Sequence, residues 1–240
     1  MDYAEHPLPE ALTGLVAAVW TVSLPADGPA WVEQEAVPDG CVELIRRHSG
    51  HSKWRREQPP LFATGLATGT AKLWLGGGSS FTGIKLWPWA WHALGGPACP
   101  GFADDWIEIS PASPLAALTI GDPATIVARL VEAFDGIGVP PLGQALLAET
   151  TVAGIAARAG LGHRRLQRLF ARDFGMPPRS YLRLLRFRDA IGAIHGTDTL
   201  ADTAAAQGYA DQAHMAREFR SLAGLPPSAA RARAKGPFVS

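Results

Sequence analysis

Residues 161–175 read LGHRRLQRLFARDFG. Four arginines and one glutamine are interleaved with leucines and phenylalanines. At about 100° per residue, with Leu166 at zero, Leu169, Phe170, Asp173 and Phe174 fall within about 80° of it, and Arg164, Arg165, Arg168 and Arg172 gather between about 160° and 260°. Gln167 sits at the edge between the two sides. One face packs and the other carries guanidinium groups and an amide. Taken alone, such a helix is an ordinary solvated surface.

A second stretch removes that ambiguity. Setting residue i against residue i+49 aligns TVAGIAARAGLGHRRLQRLFARDFGMPP (151–178) with LADTAAAQGYADQAHMAREFRSLAGLPP (200–227). Ala156 and Ala157 meet Ala205 and Ala206, Arg168 meets Arg217, Phe170 meets Phe219, Gly175 meets Gly224, and both copies stop at Gly-x-Pro-Pro. The match runs over roughly thirty residues without a gap, too short an array for a solenoid. Each copy reads as a short helix, a turn and a longer helix. Thr151 is placed to cap the first helix and Gly160 to end it. This is the layout of a helix-turn-helix unit, whose second helix enters the DNA major groove. In the second copy Met215, Phe219, Leu222 and Ala223 form the packing side, while Ala213, His214, Arg217 and Arg220 face out and Gln212 stands at the N-terminal end. Arginine reads guanine and glutamine reads adenine through paired hydrogen bonds.

Between the copies, PRSYLRLLRFRDAIGAI (178–194) carries an apolar stripe of Tyr181, Leu184, Leu185, Phe187, Ile191 and Ile194. Arg179, Arg183, Arg186 and Arg188 are expected largely outside. A helix of this length, about 24 Å long, holds two reading helices at a fixed separation near one turn of DNA, about 34 Å.

Charge agrees with this division. The 240 residues balance to zero, but residues 1–148 hold 8 Lys/Arg against 15 Asp/Glu and residues 149–240 hold 14 against 7. A basic half beside an acidic half is a signature of nucleic-acid binding. Thirteen of the 14 basic residues are arginine, the side chain suited to bidentate phosphate and guanine contacts.

Residues 142–235 resemble the DNA-binding domain of the AraC/XylS family of bacterial transcription regulators. The stretches that carry the resemblance are IAARAGLGHRRLQRLFARDFGMPPRSYLRLLRFRDA and AAAQGYADQAHMAREFRSLAGLPPSAAR, above all Gly208-Tyr209 with DQAHMAREFR and GLPP behind it. The resemblance implies two helix-turn-helix units reading successive major grooves from one side. It puts Arg164, Gln167 and Arg168 at bases in the first unit, and Gln212, Ala213, His214 and Arg217 in the second. Arg165, Arg172 and Arg220 complete the expected DNA surface, with Arg165 and Arg172 read as phosphate-facing or solvated. Ala213 stands where the family often has a polar side chain, leaving apolar contact with a thymine methyl.

Before residue 110 the sequence is β-like. AWVEQEAVP, CVELIRR, TAKLWLGG and SSFTGIKLWPW are short segments broken by Gly, Pro and Asp, and seven of the eight tryptophans lie between residues 31 and 106. LWLGGGSS (73–80) reads as a hairpin turn and Pro38-Asp39-Gly40 as a turn. VPDGCVELI (37–45), with FTGIKLWPWAWHALGG (81–96) further on, is similar to a small β-rich sensor domain found in some family members. Where those show Gly-Ile/Val-Arg-x-Arg-Pro-Gly, this chain reads Gly83-Ile84-Lys85-Leu86-Trp87-Pro88-Trp89, with leucine or tryptophan at arginine and glycine positions. Trp87, Trp89, Trp91 and Trp106 are candidates for an aromatic ligand pocket. The competing reading is that alternating tryptophans on a strand fill a β core.

Other classes find little support. Cys41, His48, His51, His92 and Cys99 show no standard zinc spacing, so no metal is expected. No base can be paired with Cys41 as a nucleophile, and the glycine runs match no phosphate-binding or dinucleotide fingerprint. No apolar run approaches membrane-spanning length, the N-terminus lacks a secretory layout, and two cysteines are no disulfide framework.

The expectation is therefore an α+β chain. A β-rich, half-barrel or cupin-like domain (1–120) is followed by a connecting helix and linker (121–141) and by an all-α domain of two helix-turn-helix units joined by a long helix (142–240). The expected protein is not an enzyme and needs no cofactor. It is a cytoplasmic, sequence-specific transcription regulator and an activator by resemblance, reading double-stranded promoter or operator DNA with helices near 163–173 and 211–222. A small-molecule effector, a homodimeric partner and, by resemblance, RNA polymerase are its expected partners. The alternative is a ligand-binding protein or enzyme that the C-terminal part tethers to DNA.

Overall fold

The computed structural model describes residues 1–232; the last eight residues of the expected C-terminal domain lie outside that range. The first half is built of two antiparallel sheets. The larger contains β1 (Asp2–His6), β2 (Val16–Ser23), β4 (Val42–Ser49), β7 (Leu61–Thr64), β9 (Ser80–Leu86) and β10 (Trp106–Glu108), in the order β1-β2-β9-β4-β7-β10. The smaller contains β3 (Trp31–Ala36), β5 (Ser52–Trp54), β6 (Arg56–Glu57) and β8 (Ala71–Gly76), in the order β3-β8-β5-β6.

Strand alternation gives the larger sheet two different faces. Val42 and Leu44 on β4, Leu61 and Ala63 on β7, and Ile84 and Leu86 on β9 point to a core shared with the helices. Trp20, Ile45, Phe62 and Phe81 point the other way and meet Trp54, Ala71 and Leu75 of the smaller sheet. Gly83 sits opposite Trp20, and a Cβ there would lie 2.1 Å from the indole. Glycine is what lets the ring lie flat across the neighbouring strand.

Two expectations are corrected. Residues 73–80 do not make a hairpin: β8 belongs to one sheet and β9 to the other, so Gly76–Ser79 carries the chain between layers. The tryptophan run does not continue β9. The strand ends at Leu86, and Pro88 opens helix α1 (Pro88–Ala93). Proline lacks the N–H that a strand ladder needs and is pre-set for the first helical position.

The helices then follow. They are α2 (Pro114–Ala117), α3 (Pro123–Ala133), α4 (Pro141–Ala148), α5 (Val152–Arg158), α6 (His163–Asp173), α7 (Pro178–Ile194), α8 (Leu200–Ala206), α9 (Gln212–Ala223) and α10 (Pro227–Ala232). Asp122 caps α3 and Thr151 caps α5 through their side-chain oxygens. The duplicated units are α5–α6 and α8–α9, but their register is not uniform. Leu161 N–H bonds Ala156 C=O, and Tyr209 N–H bonds Ala204 C=O, so the first helices and their glycine ends repeat at 48 residues. The second helices repeat at 49. The ungapped alignment therefore hides one extra residue in the second turn, where Asp211 caps α9 by accepting from His214 N–H. Gly162, at the same point of the first unit, offers no side-chain cap.

Helix α7 is the floor of both units. Phe174 and Phe170 of α6 pack on Tyr181, with ring centroids 4.8 and 6.0 Å away, and Phe219 of α9 packs edge-on against Phe187 at 4.9 Å. The same helix is seated on the β half. The buried Tyr181 hydroxyl donates to Gly40 C=O at 2.9 Å, and Leu185 lies against the space that a Cβ on Gly40 would fill. One apolar core runs from the larger sheet through α7 to α10.

The Tyr181→Phe variant keeps this packing and removes only the donor. Leaving the buried Gly40 carbonyl unpaired is expected to cost about 1–3 kcal/mol, read as a lower midpoint in urea unfolding. An unchanged midpoint would show that water replaces the hydroxyl.

Candidate functional site

On α6, Arg164, Arg165, Gln167, Arg168 and Arg172 are all exposed, while Leu166, Phe170 and Phe174 are buried. Arg164, Gln167 and Arg168 border one surface hollow together with Ala171. Arg172 differs from them: its guanidinium bonds both carboxylate oxygens of Asp173, at 2.5 and 2.8 Å. On α9, Gln212, Ala213, Arg217 and Arg220 are exposed. His214 departs from the expectation that it faces out. It is half-buried, its ring stands edge-on to Tyr209 at 5.4 Å, and its Nδ1 accepts from Ala210 N–H at 3.3 Å.

The arginines of α7 also differ from expectation. Arg179 is exposed, but Arg183, Arg186 and Arg188 are half-buried. Arg183 Nε and Arg186 Nη2 both donate at 3.2 Å to Glu218 of α9, a carboxylate only 8% exposed. They clamp the second reading helix to its floor. Arg188 bonds Asp189 and lies over the Trp87 ring at 4.8 Å.

The four candidate tryptophans do not form one pocket. Trp87 and Trp89 stack at 5.1 Å, 4° from parallel, and line different grooves. Trp91 is fully buried against Phe102 and donates to Pro97 C=O. Trp106 lies in the separate core between the sheets. The aromatic cavity of this chain lies elsewhere, between the two sheets. Its walls include Trp20, Trp54, Phe62 and Phe81, and Asp39 and Glu43 line it, in a volume of about 70 Å³.

At one side of that cavity stands a largely buried ion triad, with Lys85 and Asp39 buried and Glu43 half-buried. Lys85 is paired across β9 and β4 with Glu43, and its ammonium bonds Asp39 at 2.8 Å with Glu43 at 3.7 Å. Asp39 also accepts from Cys41 N–H, and Glu43 accepts from the Trp20 indole at 3.2 Å. Burial alone would make Lys85 easier to deprotonate, but Asp39 and then Glu43 reverse this and hold it protonated. Burial pushes the Glu43 carboxyl above its ordinary range, against the pull of Lys85. Sequence reasoning passed over this triad. A lone lysine between Ile84 and Leu86 looks like a solvated strand position until the second sheet is known to cover that face. Cys41 and Cys99 are buried free thiols, and burial raises both, Cys99 to about 11. Among the described residues no group of three His, Cys, Asp or Glu is placed to hold a metal, and no helix is long and apolar enough to cross a membrane.

Two duplicated helix-turn-helix units on one rigid helix, each showing arginine and glutamine to solvent, define a DNA-binding transcription regulator. Residues 155–233 match the family described as a helix-turn-helix domain, and residues 4–108 match a domain of unknown function, DUF6597. The C-terminal part is thus a helix-turn-helix domain of the AraC type, and the β-rich first part matches a separate domain family. No curated protein sequence matches it. Among solved structures, it is similar to an apo variant of ToxT from Vibrio cholerae strain SCE256. The two share 11% identity over 93% of this chain and 97% of that one, at a TM-score of 0.50. It is also similar to wild-type ToxT of that strain bound to unsaturated fatty acid, with 10% identity, 93% and 96% coverage and a TM-score of 0.48. At this identity the likeness is one of fold: a β-sheet-rich first part followed by a helical second part.

Removing the charge of Lys85 alone, as in Lys85→Met, leaves buried carboxylates uncompensated and is expected to cost about 3–5 kcal/mol. Adding Asp39→Asn should recover much of the loss in a denaturation series; failure to recover it would place the damage in packing. The raised Glu43 carboxyl gives a separate pH signature. The folded chain holds that proton more tightly than the unfolded chain. Its contribution to stability is complete below the ordinary glutamate range and is lost as pH rises through the raised value. Glu43→Gln should flatten this part of the stability–pH profile, and an unchanged profile would assign the fall to another group.

Proposed function

We propose that the chain is a cytoplasmic, sequence-specific transcription regulator and an activator. In this reading α6 and α9 enter successive major grooves, with Arg164, Gln167 and Arg168 on bases in one and Gln212, Ala213 and Arg217 in the other. The observation that carries the reading is the pair of exposed Arg/Gln faces fixed to one helix floor. Arg165 and Arg220 serve phosphates. Arg172, held by Asp173, contributes less. His214 is a positioning residue of the second turn, since its ring is engaged with Tyr209.

The β-rich half, proposed as residues 1–120 with 121–141 as its connection, is the sensor, and its ligand is a small molecule. A bound fatty acid in a protein of similar fold supports that reading in kind. Coupling has a physical route. Asp39 and Cys41 line the cavity, and the carbonyl between them, that of Gly40, receives the Tyr181 hydroxyl. The β half also touches the C-terminal ends of both reading helices: Thr70 donates to Leu222 C=O at 2.8 Å, and Pro100 lies close against Gly175. RNA polymerase and a second copy of the chain are proposed partners.

Arg168→Ala and Arg217→Ala should each weaken binding to the selected operator by about 1–3 kcal/mol, with a much smaller loss on random DNA. Arg172→Ala should change both little. Binding measured against salt should fall steeply, as counterion release demands. Equal losses on operator and random DNA for Arg168→Ala would refute base reading at that position.

A further inference from the structure

The cavity between the sheets carries charge of one sign. The charged side chains that line it, Asp39 and Glu43, are both carboxylates. Lys85 does not line it; its ammonium is held by Asp39 at 2.8 Å. The remaining wall is largely aromatic and aliphatic, with Gln58 and Thr64 as polar exceptions. With Glu43 ionised the triad holds two negative charges against one positive, and a cation placed in the cavity balances it and favours that ionised form.

We infer that this cavity binds a small organic cation, an alkylammonium or quaternary ammonium group. Glu43 and Asp39 supply its counter-charge, and the rings of Trp20, Trp54, Phe62 and Phe81 supply its walls. The inference rests on the sensor reading of the β-rich half and names the ligand class for it. A primary ammonium brings three donors and no acceptor, which suits carboxylate oxygens; a quaternary one has no donor and is held by charge and by the aromatic faces, which attract a cation at close range. A carboxylate ligand would meet two like charges and the negative faces of the rings. To find a partner it would have to take Lys85 from Asp39, leaving a buried acid alone. A purely apolar ligand would strip water from Glu43 and return nothing. Size limits the choice further. A dry cavity of ~150 Å³ holds benzene, so about 70 Å³ suits a group of roughly three non-hydrogen atoms by the same comparison, and the open side of the cavity leaves room for one or two more.

The test uses the full chain and three probes of matched size: n-propylammonium, propionate and 1-propanol, titrated calorimetrically at constant ionic strength. The expected result is that n-propylammonium binds at least ten-fold more tightly than either other probe. Glu43→Gln, checked for folding by its thermal transition, should weaken it at least ten-fold. Tetramethylammonium on the unaltered chain gives a second measurement that needs no variant, and it should compete with n-propylammonium. Propionate or propanol binding as well as the ammonium, or none of the probes binding, overturns the inference. Operator affinity with and without n-propylammonium separates this outcome from the sensor reading. Ammonium binding with no change in operator affinity keeps the ligand class and sinks the sensor. Propionate binding that shifts operator affinity does the reverse.

Discussion

Burial of α7 is the constraint on which the other elements depend. Tyr181, Phe187, Ile191 and Ile194 are essentially without solvent contact, and each such side chain stabilises the fold by about 1.5–3 kcal/mol. That one stripe serves three surfaces. It carries the aromatic residues of α6 and of α9, and it seats on the Pro38–Cys41 turn of the β half. A helix that only bridged two units would be polar over much of its circumference. Here two of the charges on its flanks, Arg183 and Arg186, are turned inward onto Glu218.

The two β layers solve a different problem. The central stretches of β2, β4 and β9 are covered on both faces of the larger sheet, so polar residues there need partners. Lys85, Glu43 and Asp39 find each other, and Gly83 gives up its side chain so that Trp20 can cover the gap. The result is a cavity that is aromatic in shape and acidic in charge, one residue away from the contact that holds α7.

The helical part was open to sequence reasoning because its signals are local. Helical spacing, the Thr151 cap, glycine ends and the Pro-Pro stops each state their own structure within a few residues, and duplication stated them twice. The span of α7 was readable to the residue. What escaped was non-local or nearly compensated. The extra residue in the second turn is masked because the second helices and the Gly-x-Pro-Pro stops dominate the alignment. The sheet assignments of β8 and β9 depend on partners up to tens of residues away, which a glycine run cannot announce. The tryptophans misled because composition says that they are inside something, but not inside the same thing. His214 faces out by angle, yet the ring of Tyr209, five residues earlier, draws it in.

The Tyr181–Gly40 contact bears on how such a protein can be taken apart. Its covalent seam is the glycine- and proline-rich stretch at 135–141, where a designer would cut to exchange one sensor for another. Its physical seam is elsewhere. A chimera joined at 135–141 would bring α7 against a foreign turn, with no carbonyl for Tyr181 and no hollow for Leu185. The unit that travels intact is the helical part together with the Pro38–Cys41 turn, held by a contact between residues 141 positions apart in the chain. Modularity in this molecule follows surfaces, and the order of residues along the chain is a poor guide to it.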